Sequence, residues 1–142
     1  MDGWSIRTGT EADVAAVREL WRAAESPPSP TEGDEPVLRL LRHDPGALLL
    51  AETDTAVIGS LVAAWDGWRG SFYRLAVDPA WRRRGIATAL VRSGEERLRG
   101  LGAVRLTAIA VGSDPEATGL WLAAGYERQS DRARYIRMLP EA

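Results

Sequence analysis

Apolar residues change their spacing several times along the chain, and each change marks a predicted element. Trp4 to Arg7 reads as a short strand. Thr10, with Asp13 three residues later, has the form of a capping box, and Val14, Val17, Leu20, Trp21 and Ala24 then recur at helical spacing. Between Ser26 and Gly33 lie three prolines, which remove donors and force extended backbone, so a loop follows. A second helix is predicted from Pro36 through Val37, Leu38, Leu40 and Leu41, stopped by Asp44-Pro45-Gly46. Strand texture begins at Ala47. Ala47 to Glu52, Ala56 to Trp65 and Ser71 to Val77, separated by turns at Thr53-Asp54-Thr55 and Asp66-Gly67, predict an antiparallel meander.

After Asp78-Pro79 a long helix is predicted over Arg84 to Arg99, striped by Ile86, Leu90, Gly94, Leu98 and Leu101, with Gly100 and Gly102 suited to its C-terminal cap. Ala103 to Val111 is predicted as a strand parallel to Ser71–Val77 through a right-handed crossover. Asp114 and Pro115 open a last helix carrying Leu120, Trp121 and Ala124, and Tyr126 to Gln129 and Arg134 to Leu139 are predicted as two final strands. The order is βααβββαβαββ, an α/β chain with an α+β mixed sheet in which an antiparallel meander joins a parallel strand pair. With no internal repeat and no dividing linker, residues 1–142 are expected to form a single domain.

Composition narrows the chemistry. The 142 residues include no cysteine and one histidine, His43, which excludes disulfide scaffolds, cysteine-based metal sites and a cysteine nucleophile, and argues against a Ser-His-Asp triad. No metal is therefore expected. Apolar runs such as Ala47 to Ala51 fall far short of the roughly 20 residues of a spanning helix, so no membrane partner and a cytoplasmic location are expected. All 18 basic residues are arginine, and they are unevenly placed. Residues 1–66 hold 12 acids against 5 arginines, while residues 67–142 hold 8 acids against 13 arginines, so the two halves suit partners of opposite sign.

The basic half contains the most informative stretch, Arg74-Leu75-Ala76-Val77-Asp78-Pro79-Ala80-Trp81-Arg82-Arg83-Arg84-Gly85-Ile86-Ala87-Thr88. A strand runs into a turn whose glycine opens a helix, and the first amides of a helix have no intrahelical partner and carry positive potential. Gly85 admits a ligand to the backbone, and Ala87 keeps the next turn small. Alone, three arginines would be a solvated basic patch; with the strand, Pro79, Gly85, Ala87 and the amphipathic helix they point to phosphate, a pyrophosphate above all. Gly85 is not followed by Lys-Ser/Thr and no G-x-G-x-x-G occurs, so neither a P-loop nor a dinucleotide fingerprint is present.

Here the chain resembles the GNAT superfamily of acyl-CoA-dependent N-acetyltransferases, whose Gln/Arg-x-x-Gly-x-Gly/Ala signature is matched by Arg82-Arg83-Arg84-Gly85-Ile86-Ala87. Leu75 to Pro79 matches the Leu-Ala-Val-x-Pro ahead of it, and Ile58-Gly59 and the run from Ala117 to Tyr126 agree as well. The Asp66 to Gly70 hairpin looks like that of short stand-alone bacterial members. The resemblance implies acetyl-CoA as cosubstrate. Its pyrophosphate would sit on the amides of Arg83, Arg84, Gly85, Ile86 and Ala87, with Arg82 and Thr88 at the margins, and its pantetheine arm on main-chain groups of Leu75 and Val77. It also implies direct attack of a primary amine, of a small molecule, peptide or protein, on the thioester, with the Val77 amide as a candidate oxyanion donor.

Against the family pattern, Trp121 stands where a tyrosine often protonates the departing thiolate, Asp114 stands for an asparagine, and Ser71 stands where some relatives carry a glutamate. No general acid or base is assigned. Tyr73, on the face of Ser71, is a candidate for ordering a water or shaping the pocket; Tyr135 and His43 are weaker. Trp65, Trp68 and Trp81 surround the central turns, and Trp68 at a hairpin tip is a candidate for the acceptor pocket or the contact of a homodimer. Glu25, Glu32, Asp34 and Glu35 flank the proline loop, where they either remain solvated or attract a cationic amine. The substitutions keep open a second reading, an acyl-CoA-binding module with little catalysis. Nucleic acid is not expected as a partner, since no basic–aromatic repeat accompanies the arginines.

Overall fold

The computed structural model describes residues 3–24, 31, 33–110 and 114–140, so residues 26–30 of the proline loop, Glu25, Glu32 and Val111 lie outside the described residues. Strand β1 is Ser5–Thr8, followed by a 3-10 turn at Glu11–Asp13 and helices α1, Val14–Ala23, and α2, Asp34–His43. Strands β2, Leu48–Glu52, β3, Val57–Trp65, and β4, Gly70–Val77, lead through a 3-10 turn at Pro79–Trp81 into α3, Ile86–Leu101. Strand β5 is Leu106–Ala108, and α4 is Pro115–Ala123. The chain forms two compact units, residues 1–109 and residues 110–142. Among the described residues no helix is long and apolar enough to cross a membrane.

In the first unit the five strands lie in the order β1-β2-β3-β4-β5, antiparallel except for the parallel β4–β5 pair. The meander and the parallel crossover are thus as the alternation and the connecting helix predict. One sheet face is covered by Val14, Val17 and Trp21 of α1 and Val37 and Leu41 of α2, which pack with Leu48, Leu50, Val62 and Ala76. The other carries α3, whose Ile86, Leu90, Val91 and Leu98 are fully buried. Gly94 lets that helix approach, because a Cβ there would stand 2.7 Å from Phe72 Cε1.

Local chemistry sets the ends of these elements. The Thr10 amide donates to Asp13 Oδ2 at 2.8 Å, as a capping box requires, and Arg7 grips the same carboxylate with two bonds of 2.8 Å. That bidentate hydrogen bonding holds the Asp13 carboxyl below its ordinary range, at about 2. Asp44, past the end of α2, accepts the Trp65 amide at 3.1 Å and pairs with Arg97 of α3.

Two predicted features come out differently. β5 has three residues and not the span Ala103 to Val111, because its partner β4 stops pairing with it at Phe72. In the second unit, Tyr126 to Gln129 and Arg134 to Leu139 form no strand. Alternation gives a strand its two faces, but a strand exists only through a hydrogen-bonded partner and a surface to bury one face on. Tyr135, Ile136 and Leu139 remain exposed.

Candidate functional site

β4 is irregular in its middle. Val62 opposes Tyr73 and Ser60 opposes Ala76, so Leu61 alone faces both Arg74 and Leu75, a β-bulge. Arg74 takes the left-handed conformation at φ 53°, which costs a residue with a side chain about 1–2 kcal/mol. Its half-buried guanidinium lies over the Trp21 ring, 5.4 Å from the centroid, and burial lowers its pKa. Behind the bulge, the Trp21 indole N–H donates to Ser60 Oγ at 2.9 Å, and the Ser60 hydroxyl donates to the Arg74 carbonyl at 3.0 Å.

The bulge decides which main-chain groups face outward. Before it, the Gly70 amide donates to the Arg105 carbonyl at 3.1 Å, and Gly70 to Phe72 pair with Leu106 to Ala108. After it, the Asp78 amide donates to the Ile58 carbonyl at 2.8 Å, so by alternation the main-chain groups of Leu75 and Val77 point away from β3. Among the described residues that edge pairs with no strand. A stretch of bare amides and carbonyls therefore runs down the second half of β4.

That edge leads into the arginine turn. Asp78 caps the 3-10 turn, accepting the Ala80 amide at 2.9 Å, and Arg82, Arg83 and Arg84 follow, all exposed. Arg84 lies over the Trp81 ring at 4.7 Å. Arg83 and Gly85 are both left-handed, at φ 63° and 80°. Gly85 is the N-cap of α3. No side chain caps that end, no acid occupies its first turn, and a Cβ at Gly85 would meet nothing within 4 Å. Gly59 seats the helix: a Cβ there would stand 2.9 Å from Ile86 Cγ2, so the pair fixes the first turn of α3 against β3. Ile86 is buried, while Ala87 and Thr88 are half-buried beside it.

Leu75, Val77, Arg82, Arg83, Arg84, Gly85, Ile86, Ala87 and Thr88 thus form one unbroken stretch of bare strand edge, turn and helix start. Tyr73 is 43% exposed and shares with Ser71 the sheet face carrying α1 and α2. His43 is exposed in the last turn of α2 and belongs to no part of this stretch. Of the acids flanking the proline loop, Asp34 and Glu35 are described and both are engaged by arginines, Asp34 by Arg18 at 2.6 Å and Glu35 by Arg42 at 3.7 Å. Trp68 is 67% exposed beneath the Arg69 guanidinium, 3.8 Å from its ring centroid. In the second unit Asp114 caps α4 through the amides of Glu116 and Ala117, and Trp121 is 8% exposed and meets Tyr126 edge-on at 5.0 Å.

Sequence reasoning missed Trp21, Ser60 and Arg74. One signal was available: a core tryptophan needs an acceptor for its N–H, and Ser60 is the lone hydroxyl between Val57 and Trp65.

The Acetyltransferase (GNAT) family profile matches residues 14–126. The chain belongs to that family. An acetyltransferase of Yersinia enterocolitica is 32% identical over 124 residues, 87% of this chain and 88% of the relative. One of Pectobacterium atrosepticum is 32% identical over 86% of each chain. Among solved structures, Ard1 from Thermoplasma volcanium superposes with a TM-score of 0.81 at 18% identity, over 90% of this chain and 85% of that one. The PaiA N-acetyltransferase from Thermoplasma acidophilum, in complex with coenzyme A, gives 0.78 at 14% identity, over 89% and 91%. This GNAT acetyltransferase therefore shares their fold, a mixed sheet whose antiparallel meander continues into a parallel pair.

Proposed function

We propose that this GNAT acetyltransferase moves an acetyl group from acetyl-CoA to a primary amine of a small molecule, peptide or protein. One observation carries the reading: the bare edge of β4 runs without a break into an uncapped helix start with left-handed Gly85 and three exposed arginines. An extended arm ending in a pyrophosphate has the shape and charge that such a run accepts. The relative crystallised with coenzyme A supports the same ligand. The family profile crosses the boundary between the two compact units, which supports reading residues 1–142 as one N-acetyltransferase domain; a cytoplasmic location is part of the same proposal.

In this reading acetyl-CoA supplies an activated acetyl carbonyl. The amides of Arg83, Arg84, Gly85, Ile86 and Ala87 hold the pyrophosphate, with Arg82 and Thr88 at its margins. Main-chain groups of Leu75 and Val77 hold the arm as an added strand, and the Val77 N–H donates to the carbonyl oxygen as it gains charge. The amine nitrogen forms the new C–N bond and the carbonyl electron pair moves onto oxygen; as that pair returns, the C–S bond breaks, the sulfur leaves as thiolate, and the amine gives up a proton. Tyr73 orders a water for that proton. Trp121 cannot protonate the thiolate, because an indole does not ionise in the accessible pH range, so water does.

Trp121 also motivates a second reading, an acyl-CoA-binding module with little catalysis. Calorimetry with acetyl-CoA, followed by CoA release over a broad amine panel, tests both. Binding with turnover on an amine is the expected result, binding without turnover on any amine selects the module, and no binding overturns both.

A further inference from the structure

We propose that Ser60, backed by Trp21, is a positioning residue that holds the β4 bulge in the shape acetyl-CoA needs. The inference rests on the reading above, in which the pantetheine arm lies on Leu75 and Val77. A bulge leaves the extra residue outside the regular ladder, so its carbonyl must find another donor or remain buried and unsatisfied. Ser60 supplies that donor. Its side chain is fully buried, its hydroxyl reaches the Arg74 carbonyl at 3.0 Å, and its own oxygen is occupied by the Trp21 indole N–H at 2.9 Å.

The relay has a direction. A serine hydroxyl rotates freely and could donate elsewhere or turn round to accept. With the indole N–H already directed at its oxygen, the proton is left to point at Arg74. The relay from Trp21 through Ser60 ends on Arg74, whose backbone is left-handed, and that residue is where β4 exchanges its inward and outward main-chain groups. With β4 in regular register, Leu75 and Val77 would turn their amides towards β3, as alternation from Gly70 and Phe72 requires. Ser60 therefore acts on the ligand edge without touching it, by stabilising the conformation that exposes it.

This role differs from plain core packing in what it should move. The arm depends on the bulge, whereas the phosphate end depends on the Arg82–Thr88 turn. Calorimetry on the full chain would compare acetyl-CoA with 3′-phospho-ADP, which lacks the arm. Ser60→Ala should weaken acetyl-CoA about tenfold and leave 3′-phospho-ADP unchanged, the loss of one buried hydrogen bond. Adding Arg74→Gly to Ser60→Ala should restore most of the acetyl-CoA affinity, since glycine adopts the left-handed conformation unaided. A merely structural serine would not be rescued from that position. If Ser60→Ala does not fold, Trp21→Phe carries the test and should shift the ratio of the two affinities in the same direction. Parallel loss of both ligands, or an unchanged ratio in these variants, would overturn the role of Ser60. Failure of the wild-type chain to bind acetyl-CoA would overturn the reading beneath it and the inference with it.

Discussion

The two halves of β4 differ in how they are paired. Gly70 to Phe72 are paired on both sides, to β3 and to β5, and Phe72 is buried against α3. Ala76 and Val77 pair with β3 alone, and among the described residues the other edge of Leu75 to Val77 pairs with no strand. Three residues, Tyr73 to Leu75, separate a half paired on both sides from a half paired with β3 alone, and the change costs one strained backbone at Arg74. The first half holds the fold and the second presents it. Substitutions in the first half should therefore act on stability, and those along the second half and its turn on ligand binding.

The largest expected effect lies in the first half. Phe72→Ala removes a fully buried ring from the contact between β4 and α3 and should cost about 3–5 kcal/mol in urea melts. Val77→Ala should cost far less, because Val77 is only half-buried and its proposed contribution is main-chain. Comparable losses at both positions would erase the distinction.

Next comes the turn beyond the second half. Gly85→Glu places a carboxylate and a side chain where the phosphate would lie, at a residue with φ 80°, yet a Cβ there meets nothing. The left-handed strain costs roughly 1 kcal/mol of stability. Stabilisation by saturating acetyl-CoA, about 2.7 kcal/mol at one hundred times its dissociation constant, should vanish from thermal melts. Undiminished stabilisation would place the phosphate elsewhere.

A smaller effect is expected in the second unit. Trp121→Tyr offers an ionisable hydroxyl at the position where the family often carries one. It should leave acetyl-CoA affinity unchanged and raise turnover about tenfold, well within what a general acid contributes. Equal turnover would mean that the thiolate already obtains its proton from water without limiting the rate.

Much of this contrast was legible in the sequence, for physical reasons that also mark where legibility stopped. The meander follows from period-two alternation and two polar turns, and the turn proposed to hold phosphate was marked by a glycine, a run of arginines and an amphipathic helix. The bulge carried no such mark, because arginine seldom adopts the left-handed conformation that Arg74 takes here. Strand limits set by pairing were equally hidden. Ala103 to Val111 and Arg134 to Leu139 both have strand-like composition, but how much of each pairs depends on where β4 turns its edge and on what lies alongside.

The smallest effect separates the two halves by pH. Asp66, in the hairpin that feeds the first half, accepts the amides of Trp68 at 2.8 Å and Arg69 at 2.6 Å. These backbone hydrogen bonds lower its carboxyl pKa below the ordinary aspartate value. A group depressed in the folded state contributes its stabilisation above its unfolded pKa and loses it as the pH falls through the folded value. The Trp68 and Arg69 amides should therefore lose hydrogen-exchange protection, relative to the intrinsic rate, only as the pH drops through the acid range below about 4. The Leu75 and Val77 amides have no strand partner among the described residues and should remain weakly protected across the same range. Protection of Leu75 and Val77 in the ligand-free chain would show that the second edge is not bare, and the contrast between the halves of β4 would fall.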